Sequence, residues 1–233
     1  MRRMAHSLAL LALSAGTLSA QIQPKRFSVT TRLGTVTPER AASMDAGGLV
    51  GLDTEYSFNK YFGIGTSFDV SRSNTRREDF VARLAYGNAA IGGGDSVHYQ
   101  YLSQPVNTIN LGAFAVARYP VGRIAPFVMG GIGNYTLLLD TQVAGRAARQ
   151  NDLSYTVGGG VWFKLSERTG IQFDVRSLTL QKYSRSFLDP SSNKSPNRVF
   201  PEDFPAVPSA KNTAQNTVIT LGFRYIPGAS GGN

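Results

Sequence analysis

The chain has 233 residues, 25 of them glycine, and a formal charge of +9 from 24 Lys and Arg against 15 Asp and Glu. It contains no cysteine, which excludes disulfides, thiolate metal sites, thiol nucleophiles and a lipidated cysteine. The arginines are scattered among Gly, Ser and Thr with no dense basic block. A nucleic-acid groove concentrates its cations to neutralise phosphates, so no nucleic-acid partner is expected.

Residues 1–20 read as an export signal, with a basic start in "MRRMAHS", an apolar centre in "LALLALSAG" and small residues for cleavage after Ala20. Cleavage there removes Arg2 and Arg3 and leaves a charge of +7. A membrane helix needs about 18 or more consecutive apolar residues. No stretch of the chain reaches that length. Residues 21–233 are expected to form one domain.

Alternation of apolar and polar residues predicts eight strands, at roughly 26–36, 47–58, 61–72, 107–119, 123–139, 152–165, 169–183 and 216–226. A turn or two of helix is expected near "REDFVARLAY". Three connections are tight: "SFNKYF", "RYPVGR" and "KLSERTG", using Asn59, Pro120, Gly122 and Gly170. They alternate with longer ones, including 73–106 and 184–215, which are rich in Ser, Asn, Gly and Pro. Loops of that length are uncommon in compact soluble domains. An up-and-down order puts the tight turns and both termini at one end and the long loops at the other.

The segment "GIQFDVR" poses the decisive question. Ile171, Phe173 and Val175 face one way, and Gln172, Asp174 and Arg176 the other. The same division gives Phe62, Ile64, Thr66, Phe68 and Val70 against Gly63, Gly65, Ser67 and Asp69. It also gives Ile219, Leu221, Phe223 and Tyr225 against Val218, Thr220, Gly222 and Arg224. A face of Gly, Ser, Thr, Asp, Glu and Arg cannot form the oily core of a soluble sandwich, because unpaired buried charge costs several kcal/mol per ion or more. It can line a membrane barrel whose apolar face meets lipid. The expected fold is therefore all-β, an eight-stranded antiparallel up-and-down transmembrane β-barrel. Arg32, Asp53, Glu55, Asp69, Arg118, Lys164, Asp174, Arg176 and Arg224 are expected to pair inside a plugged lumen. The aromatics Phe27, Tyr56, Phe58, Phe62, Tyr119, Phe127, Phe163, Phe173, Phe223 and Tyr225 are expected in a girdle at the tight-turn end. Phe68, Tyr135, Tyr155 and Tyr183 are expected in a second girdle toward the other end.

"APFVMGGIGNY" at 125–135, "GGGVWFKLSERTGIQFDVR" at 158–176 and "NTVITLGFRY" at 216–225 resemble the small outer-membrane β-barrels of Gram-negative bacteria. These include the OmpA-type transmembrane domain, OmpX and the opacity proteins. The resemblance implies an outer-membrane location and contact with outer-membrane lipid and lipopolysaccharide. It also implies insertion by the barrel assembly machinery, signalled by the closing strand with Phe223 and Tyr225. This chain continues past that aromatic with "IPGASGGN". No cell-wall-gripping domain is expected.

Chemistry is sparse. After cleavage one histidine remains, His98, near Asp95 and Ser96; that local run does not specify a triad, which geometry makes rather than spacing. "IGGGDS" at 91–96 lacks the Lys-Ser/Thr of a phosphate-binding loop and reads as a flexible loop. Glu78, Asp79 and Asp95 show no metal-ligand spacing, and neither metal nor cofactor is expected. Arg72, Arg76, Arg77 and Arg83 could meet lipopolysaccharide phosphates, or be ordinary solvated charge. The segment with Phe187, Pro190, Pro196, Phe200, Pro201, Phe204, Pro205 and Pro208 could contact a surface ligand, or be a disordered tip. The leading reading is a structural or surface-interaction barrel. The alternatives are a small solute pore, a lipid A-modifying enzyme and a soluble lipocalin-like barrel, against which the charged face argues.

Overall fold

Eight strands close on one another in the computed structural model, which describes residues 26–86, 96–101, 103–139, 148–188, 198–199 and 211–227. The strands in chain order are β1 (Arg26–Pro38), β2 (Gly47–Ser57), β3 (Phe62–Asn74), β4 (Val81–Tyr86), β5 (Ser96–Tyr101), β6 (Pro105–Arg118), β7 (Ile124–Leu139), β8 (Ala148–Lys164), β9 (Thr169–Gln181), β10 (Arg198–Val199) and β11 (Thr213–Tyr225). The ring runs β1-β11-β9-β8-β7-β6-β3-β2, antiparallel at every step. Closure leaves none of these eight strands with an unpaired edge, a requirement wherever no water can bond the backbone. The expected signal peptide lies outside the described residues.

The period of two sorts the side chains as the sequence alternation requires. Phe173 is 49% exposed and Leu221 60%, whereas their neighbours Asp174 and Thr220 are buried inside. Outward residues on β3 run from Phe62 to Val70. Eight strand steps cover about 27 Å, or about 21 Å along a barrel axis tilted by ~40°. That is close to the ~25 Å apolar band of an outer-membrane barrel. Hydroxyls on this face find partners: Thr54 and Thr66, opposite each other on β2 and β3, hydrogen-bond at 2.8 Å.

The tight turns lie at the end where β1 begins and β11 finishes. In the β2–β3 turn the Asn59 carboxamide oxygen accepts from the backbone N–H groups of Tyr61 (2.7 Å) and Phe62 (2.8 Å). Gly122 takes the left-handed conformation (φ 58°) that favours glycine in the β6–β7 turn.

Three expectations need correction. The span 73–106 is not only loop: β4 and β5 pair there, and β10, from within 184–215, adds a third strand. The turn of helix expected near "REDFVARLAY" is present as a 3-10 turn, Arg77–Asp79, followed by β4. Phe127 and Tyr135 are not girdle aromatics; both point into the barrel, Phe127 half-buried and Tyr135 completely buried. β7 is apolar on both faces, so alternation of hydrophobicity could not tell which set faces lipid. Tyr183 is buried as well, beyond the end of β9. The other aromatics expected in girdles, Phe27, Tyr56, Phe58, Phe62, Phe68, Tyr119, Tyr155, Phe163, Phe173, Phe223 and Tyr225, are exposed.

The closing seam between β1 and β11 is tight. A Cβ on Gly34 would sit 2.0 Å from the Ile219 carbonyl oxygen and 2.8 Å from the Thr220 Cα. Gly48, on β2, has open space around that position. Gly34→Val is expected to abolish the folded band that separates unboiled from boiled protein on a detergent gel, while Gly48→Ala retains it.

Candidate functional site

Among the described residues, charge, burial and contacts from many strands converge in the lumen. Its central layer is built on Asp53. One carboxylate oxygen accepts from Arg32 at 2.8 Å and the other from Arg176 at 2.6 Å. Arg32 also reaches Asp69 at 2.6 Å, and Arg176 donates from Nε to Asp174 at 2.8 Å. Gln172 adds a bond to Asp174 at 3.0 Å. A second layer lies toward the tight turns, where Glu55 accepts from Arg118, from Arg224 at 3.0 Å and from the Ser57 hydroxyl at 2.9 Å. The Arg224 guanidinium carbon stands 5.3 Å from the centre of the Trp162 ring.

These bonds cross the lumen as well as running between neighbours. Arg32 and Asp53 are on adjacent strands, but Arg176 on β9 is separated from β1 by β11. Arg118 on β6 reaches Glu55 on β2 past β3. Small inward residues make room: a Cβ on Gly51 would stand 2.3 Å from an Asp69 carboxylate oxygen and 2.9 Å from an Arg32 guanidinium nitrogen. Of the nine lumen charges expected from sequence, eight take part in these two layers. Lys164 ends β8, half-buried, opposite Gly170.

The third layer escaped the sequence reading. At the long-loop end the inside is apolar: Val36, Leu49, Leu137, Leu139, Leu178 and Leu180 pack with segments folded in from the loops. Met44, Phe80, Tyr183 and Leu188 belong to the same cluster. Its signal was present in β9, where the inward parity that carries Asp174 and Arg176 continues into Leu178 and Leu180. The loops are tied by polar contacts. Arg40 makes a two-pronged bridge to buried Asp79, one contact at 2.6 Å. That carboxylate raises the Arg40 guanidinium above its ordinary pKa. The Tyr183 hydroxyl donates to the Ala42 carbonyl, and burial pushes this phenol upward. The Gln104 side chain donates to the Leu188 carbonyl at 2.9 Å.

The other residues singled out in sequence do not gather into a site. Ser96 and His98 lie on β5 opposite Tyr86 and Leu84, and Asp95 is outside the described residues. Arg83 is on β4 opposite Tyr99. Arg72 is exposed on the outer face of β3, and Arg76 is half-buried, donating to the Met44 carbonyl at 3.3 Å. Arg77 and Glu78 are exposed, and Asp79 is engaged by Arg40. Of the aromatic and proline-rich segment, Phe187 packs half-buried against the apolar cluster. Pro190, Pro196, Phe200, Pro201, Phe204, Pro205 and Pro208 lie outside the described residues.

A closed barrel with an apolar exterior and ion pairs along its inside is the construction of a transmembrane β-barrel. Residues 6–226 match the family model of the outer membrane protein beta-barrel domain, and the chain belongs to that family. It is an outer-membrane protein. Similar solved structures include Neisserial surface protein A (11% identity, TM-score 0.48, 85% of this chain and 94% of that one). Another is Ail of Yersinia pestis in complex with the heparin analogue sucrose octasulfate (12%, 0.41, 86% and 97%). A third is the N-terminal barrel of Pseudomonas aeruginosa OprF (9%, 0.40, 87% and 100%). No curated protein matches the sequence.

Removing one partner of a buried pair strands the other. Asp53→Ala leaves two buried guanidinium groups short of an acceptor and is expected to cost about 3–5 kcal/mol of stability. Lys60→Ala, at an exposed turn, is expected to cost under about 1 kcal/mol. Urea unfolding followed by the fluorescence of Trp162, the only tryptophan in the chain, measures both.

Proposed function

We propose that this outer-membrane barrel is a structural and surface-interaction protein with a sealed lumen, and that it does not conduct solutes. The observation that carries the reading is the stacking of two ion-pair layers beneath an apolar cap. Eight charged side chains fill the middle, and loop residues pack into the long-loop mouth. An eight-stranded barrel is just wide enough for side chains to fill it. The reading assigns no enzymatic role.

The exposed aromatics mark the two membrane interfaces in this reading, and the long loops face the cell exterior. Arg72, on the outer wall, and the exposed Lys182 and Lys211 at the same end would meet the phosphates of lipopolysaccharide. The alternating β11, ending in Phe223 and Tyr225, would be read by the assembly machinery during insertion.

Purified protein in a planar bilayer is expected to give no discrete current steps. Steady steps from the unaltered protein would overturn the sealed lumen and favour the small-pore alternative. The Arg72→Ala, Lys182→Ala double variant is expected to carry less lipopolysaccharide through detergent extraction. Unchanged retention would remove the lipopolysaccharide contact from the proposal.

A further inference from the structure

Beneath the central ion-pair layer is a small cavity of about 20 Å³. Its walls are unlike. Phe114, Val116 and Met129 form an apolar side, and Glu55, Arg118 and Arg224 a charged one. We propose that this cavity is a binding site for a small monovalent anion of the halide class, held by Arg118 and Arg224.

Charge is the first argument. Two guanidinium groups share the single carboxylate of Glu55. Asp53 and Arg176 also line the cavity and cancel each other, so the lining carries a net +1. The balancing negative charge belongs to the layer above, where Asp53, Asp69 and Asp174 face Arg32 and Arg176. Those carboxylates accept their hydrogen bonds from Arg32, Arg176 and Gln172, not from Arg118 or Arg224. Arginine cannot shed its proton to relieve this local excess. A bound anion would offset it.

Unmet donors are the second argument. The Arg118 and Arg224 side chains are 2% and 6% exposed, and the Nε of each has no hydrogen-bond partner among the described residues. A buried N–H without an acceptor is costly, the more so on a charged group. An anion between the two would accept from both.

Shape and polarity select the class. Space for about one water-sized sphere is too small for a phosphate or sulfate, and the second charge of either would lack a partner in a lining of net +1. A halide needs few donors and tolerates contact with Phe114 and Val116. The inference concerns the interior alone and stands whether or not the barrel conducts.

Crystals grown in sodium bromide test it directly. The expected result is an anomalous peak inside the lumen within hydrogen-bond reach of Arg118 and Arg224. In solution, the thermal midpoint of the unaltered protein should rise saturably with chloride at constant ionic strength made up with gluconate. Arg118→Gln, which removes the excess charge, should lose that rise. Val116→Leu, which fills the cavity and leaves every charge in place, should lose it too and covers the case in which Arg118→Gln does not fold. Lys60→Gln should keep it. A cavity holding only water in the bromide crystals, or equal midpoints in chloride and gluconate, would overturn the proposal.

Discussion

Charge carried into the middle of a barrel must be neutralised there, and Asp53 is where this protein does it. One carboxylate holds Arg32 from β1 and Arg176 from β9, two strands with β11 between them. A hydrogen-bonded wall alone fixes only neighbouring strands. Bonds through the lumen fix the cross-section. The pairing therefore serves shape as well as charge balance, and Glu55 repeats the device a layer lower with Arg118 and Arg224.

The arrangement follows from a strict period of two. Once β9 turns Phe173 outward, Gln172 and Asp174 have no other place than the lumen. Each inward polar residue then needs a partner within reach, and the inward glycines supply the space. Toward the long loops the same parity carries leucine and valine inward, and the loops bring their own apolar residues to meet them. The lumen is thus graded: ions where the wall is regular, hydrocarbon where the loops enter.

What could be read from sequence tracks how different the two faces of each strand are. Along most of their length β2, β3, β9 and β11 alternate grease with glycine, hydroxyl or charge, and there the facing was legible; at the long-loop ends Leu49, Leu178 and Leu180 turn inward and break that contrast. β7 offers Ala125, Phe127 and Met129 inside and Ile124, Val128 and Ile132 outside. Neither set is polar, so the placement of Phe127 and Tyr135 was beyond the pattern and needed the register of β6 and β8 to decide it. β4 and β5 pair with each other and with the two residues of β10, which arrive from far along the chain. The charged residues of the lumen were visible individually. Their partition between Asp53 and Glu55 was not, because it depends on strand order around the ring and on stagger between distant strands.

The central claim is the direction of the two faces, and β9 tests it most directly. The natural chain lacks cysteine, so single cysteines from Ile171 to Arg176 can each carry a nitroxide in a reconstituted bilayer. The account predicts that collisions with dissolved oxygen peak at Ile171, Phe173 and Val175 and that a water-soluble nickel chelate reaches none of these three. Free access of the chelate to Phe173, or loss of the two-residue period along the strand, would contradict it.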